Sequence, residues 1–567
     1  MTLFPAFRVA GDSADFTRSD EGYFWRSRLS YVFQHAPKRR ARASAINRSE
    51  HRMSLRMIVW LIVCMAQVSA AETEAFQIRV VDEETGRGVP LVELRTVHDQ
   101  LFVTDSAGRV AVREPELLGQ NVFFHVRSHG YEFPKDGFGY RGRAIQIEPR
   151  GEATLKLKRL NIAERLYRVT GAGIYADSVL LGQAVPIQRP LLNAHVAGSD
   201  SVVTAIYRGR LHWFWGDTNR LRYPLGNFQV TGATSRLPHD GGLSPSVGVD
   251  LDYFTGDDGF ARAVAKVPGE GPTWIFGAVV LRDADGRERL FTGYEKVRGT
   301  LEIYERGLAE FDDERHEFVS RKRFDKGIPL HLHGHPFLHK VTPAATTENV
   351  ASAVEYVYFG DPFPIMRVRA TVDDLLDPSQ YEGFTCLVAG GRAREPQVER
   401  DASGKPVFGW KQDTAALTPE LQTSLVRSGQ LKPNEAWWNL QDAETGRPVI
   451  AHRGSVAWNE HRQRWTIIFT QHFGTSVLGE VWYGEADRPE GPWLKATKVA
   501  THDKYSFYNP KQHPYFAEDG GKSIYFEGTY TNTFSGNPTP TPRYEYNQVM
   551  YRLNLSDARL KRTQKSR

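Results

Sequence analysis

Short stretches in which hydrophobic and polar residues alternate recur in pairs along residues 195–555. A period of two is typical of a β-strand with one buried face, and two such strands joined by a turn form an antiparallel hairpin. The start of the first strand and the end of the second then lie at the same edge, so the polar or ionisable residues found there gather at one rim. Five hairpins are predicted: Asp200–Asp217, Trp274–Glu295, His335–Asp361, Ser455–His472 and His513–Glu527.

Each hairpin continues into further strand-like segments, as in LEIYERGLAEF and EFVSRKRF after Glu295. Four antiparallel strands per unit, repeated five times, predict an all-β chain with a five-bladed β-propeller over residues 165–560. A strand within Tyr167–Leu181 is expected to close the ring, and a Pro- and charge-rich insertion interrupts the repeat at 392–439. Because the first strand of each blade lines the central channel, the shared rim is expected to form a funnel.

A separate β-sandwich is predicted ahead of the propeller, over residues 74–160. Phe76, Ile78 and Val80 alternate with polar neighbours, and turn clusters follow. The run VVDEETGRGVPLVEL, with TDSAGRV downstream, resembles the transthyretin-like sandwich that serves as an accessory domain in exported enzymes. No cluster of His, Cys or paired acids indicates chemistry there, so a spacer or adhesion module is expected.

The first 71 residues are read as a segment that precedes the folded chain. Residues 1–52 carry no apolar periodicity, which indicates a disordered or misassigned leader. Residues 53–71 have the pattern of a signal peptide: Arg56, the apolar run Ile58–Val68, and small residues before Glu72. The run is short for a membrane span, so no stable span is expected in the mature chain. We expect export to the periplasm, the cell surface or the medium.

Composition and charge narrow the function classes. Hydrophobic residues make up 40% and aromatic residues 12% of the chain, which argues against disorder. The first 71 residues hold eleven of the 72 Lys and Arg and five of the 67 Asp and Glu, so without them the formal charge changes from +5 to −1. The mature chain therefore has no net electrostatic reason to bind nucleic acid. Cys386 is its one remaining cysteine, and no internal disulfide is expected.

Carboxylates at the rim are the candidate catalytic groups. Asp200, Asp217 and Glu295 stand where the hairpins bring strand ends together. Repulsion between crowded carboxylates raises the pKa of some of them, so these would hold a proton near neutral pH. Cleavage of a glycosidic bond needs one acid for the leaving oxygen and one base or nucleophile for the sugar carbon. The structural alternatives are a turn cap for Asp217 and a solvated charge for Glu295.

Other rim residues are candidates for binding a sugar, because sugars pack on aromatic planes and hydrogen-bond to polar side chains. The segment HLHGH, which ends at His335, also allows a divalent cation, although a closed zinc site needs a fourth ligand. The favoured interpretation has no metal and no cofactor, with His335 lining the funnel. The predicted substrate-binding residues are Trp215, Arg236, His335, Asp361, Arg367, His472, His513 and Glu527.

Three short motifs carry a resemblance to a known group of enzymes: WFWGDT ending at Thr218, GSDS ending at Ser201, and EADRPEGPW ending at Trp493. They are similar to five-bladed propeller glycoside hydrolases of the arabinanase and invertase type, nearest to bacterial endo-D-arabinanase-like propellers. The resemblance implies Asp200 and Asp217 as the catalytic pair and Glu295 as a third acid.

The sequence departs from the arabinanase pattern at the starts of the later blades, where no obvious Asp or Glu stands. Phe276, His335, Ser455 and His513 occupy those positions. The departure leaves a conventional three-carboxylate assignment open, and it leaves open which carboxylate is acid and which is base.

The predicted function is that of an exported glycoside hydrolase acting on a furanose-containing or related polysaccharide or oligosaccharide. The first alternative is a non-catalytic carbohydrate-binding or cell-surface scaffold protein of the same fold. A metal-dependent lyase or oxidase built on the histidines is a third class.

Overall fold

The computed structural model describes residues 74–325, 327–342, 352–543 and 545–560, without the side chains of residues 223–227. The predicted leader at 1–52 and signal peptide at 53–71 lie outside the described residues. Within them, strands predominate and the α-helices are short, which confirms the prediction of an all-β chain. No helix of this described part is long and apolar enough to cross a membrane. Its α-helices are α1 (Ala176–Leu180), α2 (Val372–Leu376) and α3 (Pro419–Arg427).

Residues 76–159 form two four-stranded sheets that pack on a shared apolar core. In the first strand Phe76, Ile78 and Val80 are buried, as the alternation predicts. Their partners across the core include Leu94 and Phe124. The sheets have the orders β4-β1-β8-β6 and β3-β2-β5-β7. The strands are β1 (Phe76–Asp82), β2 (Glu93–Thr96), β3 (Leu101–Val103), β4 (Arg109–Val112), β5 (Asn121–Arg127), β6 (Tyr131–Glu132), β7 (Gly142–Gln146) and β8 (Glu152–Arg159).

The next part of the chain contains two small sheets, which meet where β10 is followed by β11 and where β12 is followed by β13. A four-stranded sheet has the order β11-β12-β15-β16, and a three-stranded sheet has the order β10-β13-β14. The chain passes from one sheet to the other between β10 and β11 and again between β12 and β13. The strands are β9 (Glu164–Arg168), β10 (Val196–Ser199), β11 (Val202–Tyr207), β12 (Arg210–Trp215), β13 (Thr218–Arg220), β14 (Tyr223–Asn227), β15 (Thr231–Ser235) and β16 (Asp252–Tyr253).

Two further sheets follow in chain order, with the orders β17-β18-β19-β20 and β21-β22-β23-β24-β25. The predicted insertion at 392–439 supplies β25 to the second of them, and α3 packs Leu421 and Leu425 into a small adjoining core. The strands are β17 (Thr273–Arg282), β18 (Glu288–Arg298), β19 (Glu302–Asp312), β20 (Glu317–Phe324), β21 (Phe337–Val341), β22 (Val354–Phe359), β23 (Met366–Arg369), β24 (Glu382–Thr385) and β25 (Gly409–Gln412).

The last two sheets have the orders β26-β30-β29-β28-β27 and β31-β32-β33-β9. We number as first to fifth the sheet β11-β12-β15-β16 and the four sheets that follow it in sequence. Strand β9, which precedes all five, is the outer strand of the fifth. The predicted closing strand was placed too late in the chain, since residues 176–180 form α1 instead. The strands are β26 (Gln441–Asp442), β27 (Ala451–Asn459), β28 (Arg464–Gln471), β29 (Val481–Ala486), β30 (Lys495–Ala500), β31 (Ser506–Gln512), β32 (Ser523–Thr531) and β33 (Asn547–Asn554).

The five sheets pack on one another in a closed cycle. Apolar clusters join the first sheet to the second, the second to the third and fourth, and the fourth to the fifth. A further cluster joins the fifth sheet to the first, where Tyr525 and Met550 pack with Trp213 and Trp215. The burial of large side chains between successive sheets is the main source of stability in such an arrangement.

The fifth hairpin differs from its prediction. It runs from Ser506 to Thr531, so His513 follows the end of the first strand rather than starting it. Pro514 begins a short 3-10 turn that ends at Phe516, and this turn carries two adjacent aromatic residues of the kind that is frequent in strands. Tyr508, on the first strand of this hairpin, is the residue whose side chain reaches Asp200.

Candidate functional site

Asp200 and Asp217 lie where the first sheet meets the three-stranded sheet. The β-ladder pairs Ser199 with Thr218 on one side of them and Val202 with Trp215 on the other. Between these pairs, the Asp200 amide donates to the Asp217 carbonyl at 2.8 Å, and the Gly216 amide donates to the Asp200 carbonyl at 2.9 Å. The two acids therefore stand opposite each other on a two-stranded ribbon, at the same end of β11 and β12.

Asp200 is buried and held by hydroxyl groups. Ser201 Oγ donates to Asp200 Oδ1 at 2.7 Å, and Thr529 Oγ1, on the fifth sheet, lies at 3.4 Å from the same oxygen. Burial raises the pKa of Asp200, while Ser201 and then Tyr508 oppose the rise. Hydroxyl donors favour the ionised form of a carboxyl, so Asp200 is the member of the pair equipped to carry charge.

The Ser201 hydroxyl is fixed in turn by the fifth sheet. Asn509 Nδ2 donates to Ser201 Oγ at 2.5 Å, and the Ser201 amide donates to Thr529 Oγ1 at 2.9 Å. Gln548 Nε2 donates to the same threonine hydroxyl at 2.8 Å. Closure of the sheet cycle thus sets the orientation of Asp200.

Asp217 is half-buried, and its Oδ1 has no hydrogen-bond partner among the described residues. Burial and, second, the charge of Asp200 raise the pKa of Asp217 to about 7. The Trp274 side chain opposes the rise in part. A carboxyl with this pKa holds a proton on about half of the molecules at neutral pH, which suits it to proton transfer.

Aromatic side chains surround the two acids. Trp274 and Tyr546 are half-buried and Tyr508 is buried. Burial, followed by the charges of Asp200 and Asp217, raises the pKa of Tyr546 above its ordinary value. Trp274 and Tyr546 are not among the predicted binding residues, although Trp274 begins the second predicted hairpin. Their rings supply the apolar planes that a sugar ring would contact.

Glu295 stands across the β17–β18 ladder from Trp274, but it is ion-paired. Arg306 Nε donates to Glu295 Oε1 at 2.6 Å, and the side chain of Glu295 is 7% exposed. The adjacent His333 feels the charges of Glu295 and of Asp361, although burial lowers its pKa. Glu295 is thus placed near the site and held by Arg306.

Asp361 joins the third sheet to the fourth. Arg453 Nη1 donates to Asp361 Oδ2 at 2.7 Å, and the Gly454 amide donates to Oδ1 at 3.0 Å. His472 lies at the corresponding end of β28, where its ring stacks on Phe473 at 3.8 Å between centroids. Phe473 is 63% exposed and was not singled out in the sequence.

The histidines near His335 form no ligand set. His331 and His333 have ring centroids 5.0 Å apart, and His333 Nδ1 lies 2.8 Å from the His331 carbonyl. Burial and the charges of Lys511 and His513 lower the pKa of His335 well below its ordinary value. Among the described residues, no group of three or more His, Cys, Asp or Glu is placed to hold a metal ion.

Two predicted binding residues lie between the fifth and first sheets, not at the rim. His513 and Glu527 are fully buried, with His513 Nε2 3.7 Å from Glu527 Oε1. His513 packs on Trp213 at 5.4 Å, and burial raises the pKa of Glu527 to about 8, which Lys511 opposes. The displaced fifth hairpin explains the difference, because both residues lie past the rim.

The remaining three predicted binding residues are placed by burial and by strand register. Trp215 is 1% exposed and stacks on Trp213 in the core. Arg236 is exposed just after Ser235, which pairs with Leu211 at the end of β12 opposite to Asp217. Arg367 lies between the rings of Tyr356 and Trp410, 4.2 and 4.4 Å from their centroids, and pairs with Glu382. Burial and strand register, which the sequence does not show, account for all three.

No protein-family model matches this chain, and no curated protein matches it. Solved structures similar to it include an exo-β-1,3-galactanase from Phanerochaete chrysosporium in complex with galactose, at 8% identity and a TM-score of 0.33, covering 69% of this chain and 65% of that one. An exo-1,5-α-L-arabinanase from a bovine ruminal metagenomic library matches at 10% identity and a TM-score of 0.30, covering 64% and 94%. A thermostable family-43 glycoside hydrolase matches at 11% and 0.28, covering 63% and 88%. Likenesses this remote carry no argument about this chain.

Proposed function

We propose that the five sheets are the blades of a five-bladed β-propeller and that Asp200 and Asp217 are the acid/base pair of a glycoside hydrolase. The single observation that carries the proposal is that Asp200 and Asp217 stand opposite each other at one end of a two-stranded ribbon, joined by the 2.8 Å bond from the Asp200 amide to the Asp217 carbonyl. The pKa of Asp217, raised to about 7 by burial and by Asp200, supports it. Two carboxyl groups whose environments separate their roles are what cleavage of a glycosidic bond requires.

The environments of the two acids indicate which is the general acid and which is the base or nucleophile. Asp217, which holds a proton on about half of the molecules at neutral pH, donates it to the leaving glycosidic oxygen as the bond from that oxygen to the anomeric carbon breaks. Asp200, whose rise in pKa on burial is opposed by Ser201 and Tyr508, acts in its ionised form. Either it accepts a proton from the water that attacks the anomeric carbon, or it attacks that carbon itself and the resulting glycosyl ester is hydrolysed by a water that gives its proton to Asp217. Tyr546 and Trp274 border the same place and would contact the sugar ring.

The surroundings of the acids favour a neutral sugar, because half-buried aromatic rings and partnered polar groups border them. The proposed substrate is a furanose-containing or related polysaccharide, which is what the resemblance to arabinanase-type enzymes implies. Export and the transthyretin-like character of the small sandwich belong to the same proposal, since a polysaccharide of this kind lies outside the cytoplasm. Detection of the mature chain, starting near Glu72, in the periplasmic or culture fraction tests the export.

A polysaccharide panel tests the activity. The wild type is expected to release reducing sugar from at least one furanose-containing polysaccharide, and Asp217→Asn is expected to lower kcat by about a thousandfold or more. Asp257→Asn, which changes an exposed carboxylate after β16, is the matched control and should keep wild-type activity. Binding of a polysaccharide without release of any sugar would favour the non-catalytic scaffold instead.

A further inference from the structure

One face of the small sandwich carries a groove whose charge differs from that of the domain around it. The groove has a volume of about 750 Å³ and is formed by β8, the start of β7 and the segment after β6. Residues 74–160 hold thirteen basic and thirteen acidic residues and are therefore neutral as a unit. The groove itself is lined by five basic residues and two acids: Lys135, Arg141, Arg143, Lys156, Lys158, Glu83 and Glu132.

Four of the five cations are free to meet a ligand. Arg141 pairs with Glu132. The other four, Lys135, Arg143, Lys156 and Lys158, are exposed, and no ion pair involving them is found in the described part of this domain. Unpaired cations facing one concavity raise the local concentration of anions.

Strand geometry arranges these charges in a row. Lys156 and Lys158 are two positions apart on β8 and point to the same face, about 6.5–7 Å from each other. Lys158 stands opposite Glu132 in the backbone register of the β6–β8 ladder, and Lys135 follows Glu132 three residues later in the chain. A linear polymer with a carboxylate on successive units would meet several cations at once, whereas a single small anion would meet one or two.

Aromatic surface adjoins the groove. Phe133 is one of the residues that line it, and the turn that follows carries Phe138, which is 91% exposed. Exposed aromatic rings next to cations suit a ligand that has both apolar C–H faces and negative charges, and sugar acids have both. Nucleic acid offers phosphates as well, but a chain bound for export would not meet it.

We propose that this groove binds an acidic polysaccharide, one whose units carry carboxylates, and thereby holds the propeller on an acidic polymer that surrounds its neutral substrate. The choice of a polysaccharide as the polymer rests on the proposed function. The binding itself stands on the groove and not on Asp200 or Asp217.

The test measures binding of the full chain to polygalacturonate and to a neutral galactan by affinity electrophoresis and calorimetry. The wild type is expected to bind polygalacturonate at least tenfold more tightly than the galactan, and to lose at least tenfold in affinity between 50 and 300 mM salt, each as an order-of-magnitude figure. The variant Arg143→Ala/Lys156→Ala/Lys158→Ala should bind about tenfold or more weakly. The double variant Lys498→Ala/Lys522→Ala, which removes exposed lysines elsewhere, should bind within about twofold of wild type.

The outcomes separate this proposal from the proposed function. The proposal that the groove binds an acidic polysaccharide is overturned if the triple variant still binds polygalacturonate as wild type does, or if wild type binds the galactan equally well. Equal affinity for a DNA duplex overturns the assignment to a polysaccharide. If wild type and Asp217→Asn both bind polygalacturonate but no polysaccharide is hydrolysed, the groove stands and the hydrolase fails. A thermal melt of each variant shows that loss of binding is not loss of fold.

Discussion

Replacing Asp200 by Asn should lower the pKa of Asp217 without changing its burial. The wild-type pKa of about 7 lies roughly 3 units above the ordinary value of 3.8, which corresponds to about 4 kcal/mol. Burial is the larger cause of the rise and the charge of Asp200 is the second. Asp200→Asn removes the second cause alone, since asparagine has nearly the same shape.

The size of the expected change follows from the geometry. Side chains opposite each other on an antiparallel ribbon have Cβ atoms about 5 Å apart. Two unit charges at about 5 Å in an effective dielectric of about 20 repel by about 3 kcal/mol, or about 2 pKa units, as an upper bound. We expect the pKa of Asp217 to fall by 1–2 units, roughly, and to stay above 4.

The assay must not depend on activity, because Asp200→Asn is expected to be inactive. A ¹³C NMR titration of aspartate carboxyl groups, with Asp217→Asn used to assign the resonance, follows the pKa directly. Asp257→Asn changes an exposed carboxylate that is not among the causes of the Asp217 shift, so it should leave the Asp217 titration unchanged. A wild-type Asp217 that titrates near 4, or one whose pKa stays within about 0.3 units in Asp200→Asn, would refute the reasoning.

Three further predictions concern other parts of the fold. Glu527→Gln should flatten the pH dependence of stability, as urea unfolding at pH 5 and 8 would show. The pKa of Glu527 is about 8 in the folded protein and 4.5 in the unfolded chain, so the wild type loses up to about 5 kcal/mol of stability as pH rises between those values. Tyr508→Phe should raise the pKa of Asp200 further, seen as an upward shift of the acidic limb of kcat/KM, because Tyr508 opposes the rise caused by burial. Ile467→Ala should cost about 2–5 kcal/mol in urea unfolding, because Ile467 is fully buried, against under about 1 kcal/mol for the exposed Ile206→Ala.

Each of these has a plain contradiction. Equal pH slopes for wild type and Glu527→Gln would mean that Glu527 is ionised in the folded protein. An acidic limb that stays in place in Tyr508→Phe would remove Tyr508 from the site. Equal losses for Ile467→Ala and Ile206→Ala would mean that the third and fourth sheets do not pack as described.

Local alternation in the sequence was enough to place most hairpins. The two strands between Asp200 and Asp217 lie where the pattern predicts them, because period-two alternation with a short turn has few other solutions. The fifth hairpin was misplaced because Pro514 and two aromatics form a 3-10 turn that looks like a strand. Local pattern cannot distinguish the two.

The surroundings of the acids needed the closed cycle of sheets. Thr529 and Asn509 reach Asp200 and Ser201 from a segment about 300 residues further along the chain, and no local signal marks them. The surroundings of the predicted binding residues could not be read from local pattern either. Which end of a strand faces the site, as for Arg236, depends on register, and whether an aromatic such as Trp215 is buried depends on the neighbouring sheet.

Hydrolysis in H₂¹⁸O tests the central claim most directly. If the Asp200 and Asp217 pair catalyses attack of water on a glycosidic bond, each new reducing end released from the active polysaccharide gains one ¹⁸O by mass spectrometry, and Asp217→Asn forms almost none. Release of unlabelled products with unsaturated ends, or labelled products formed equally by Asp217→Asn, would contradict it.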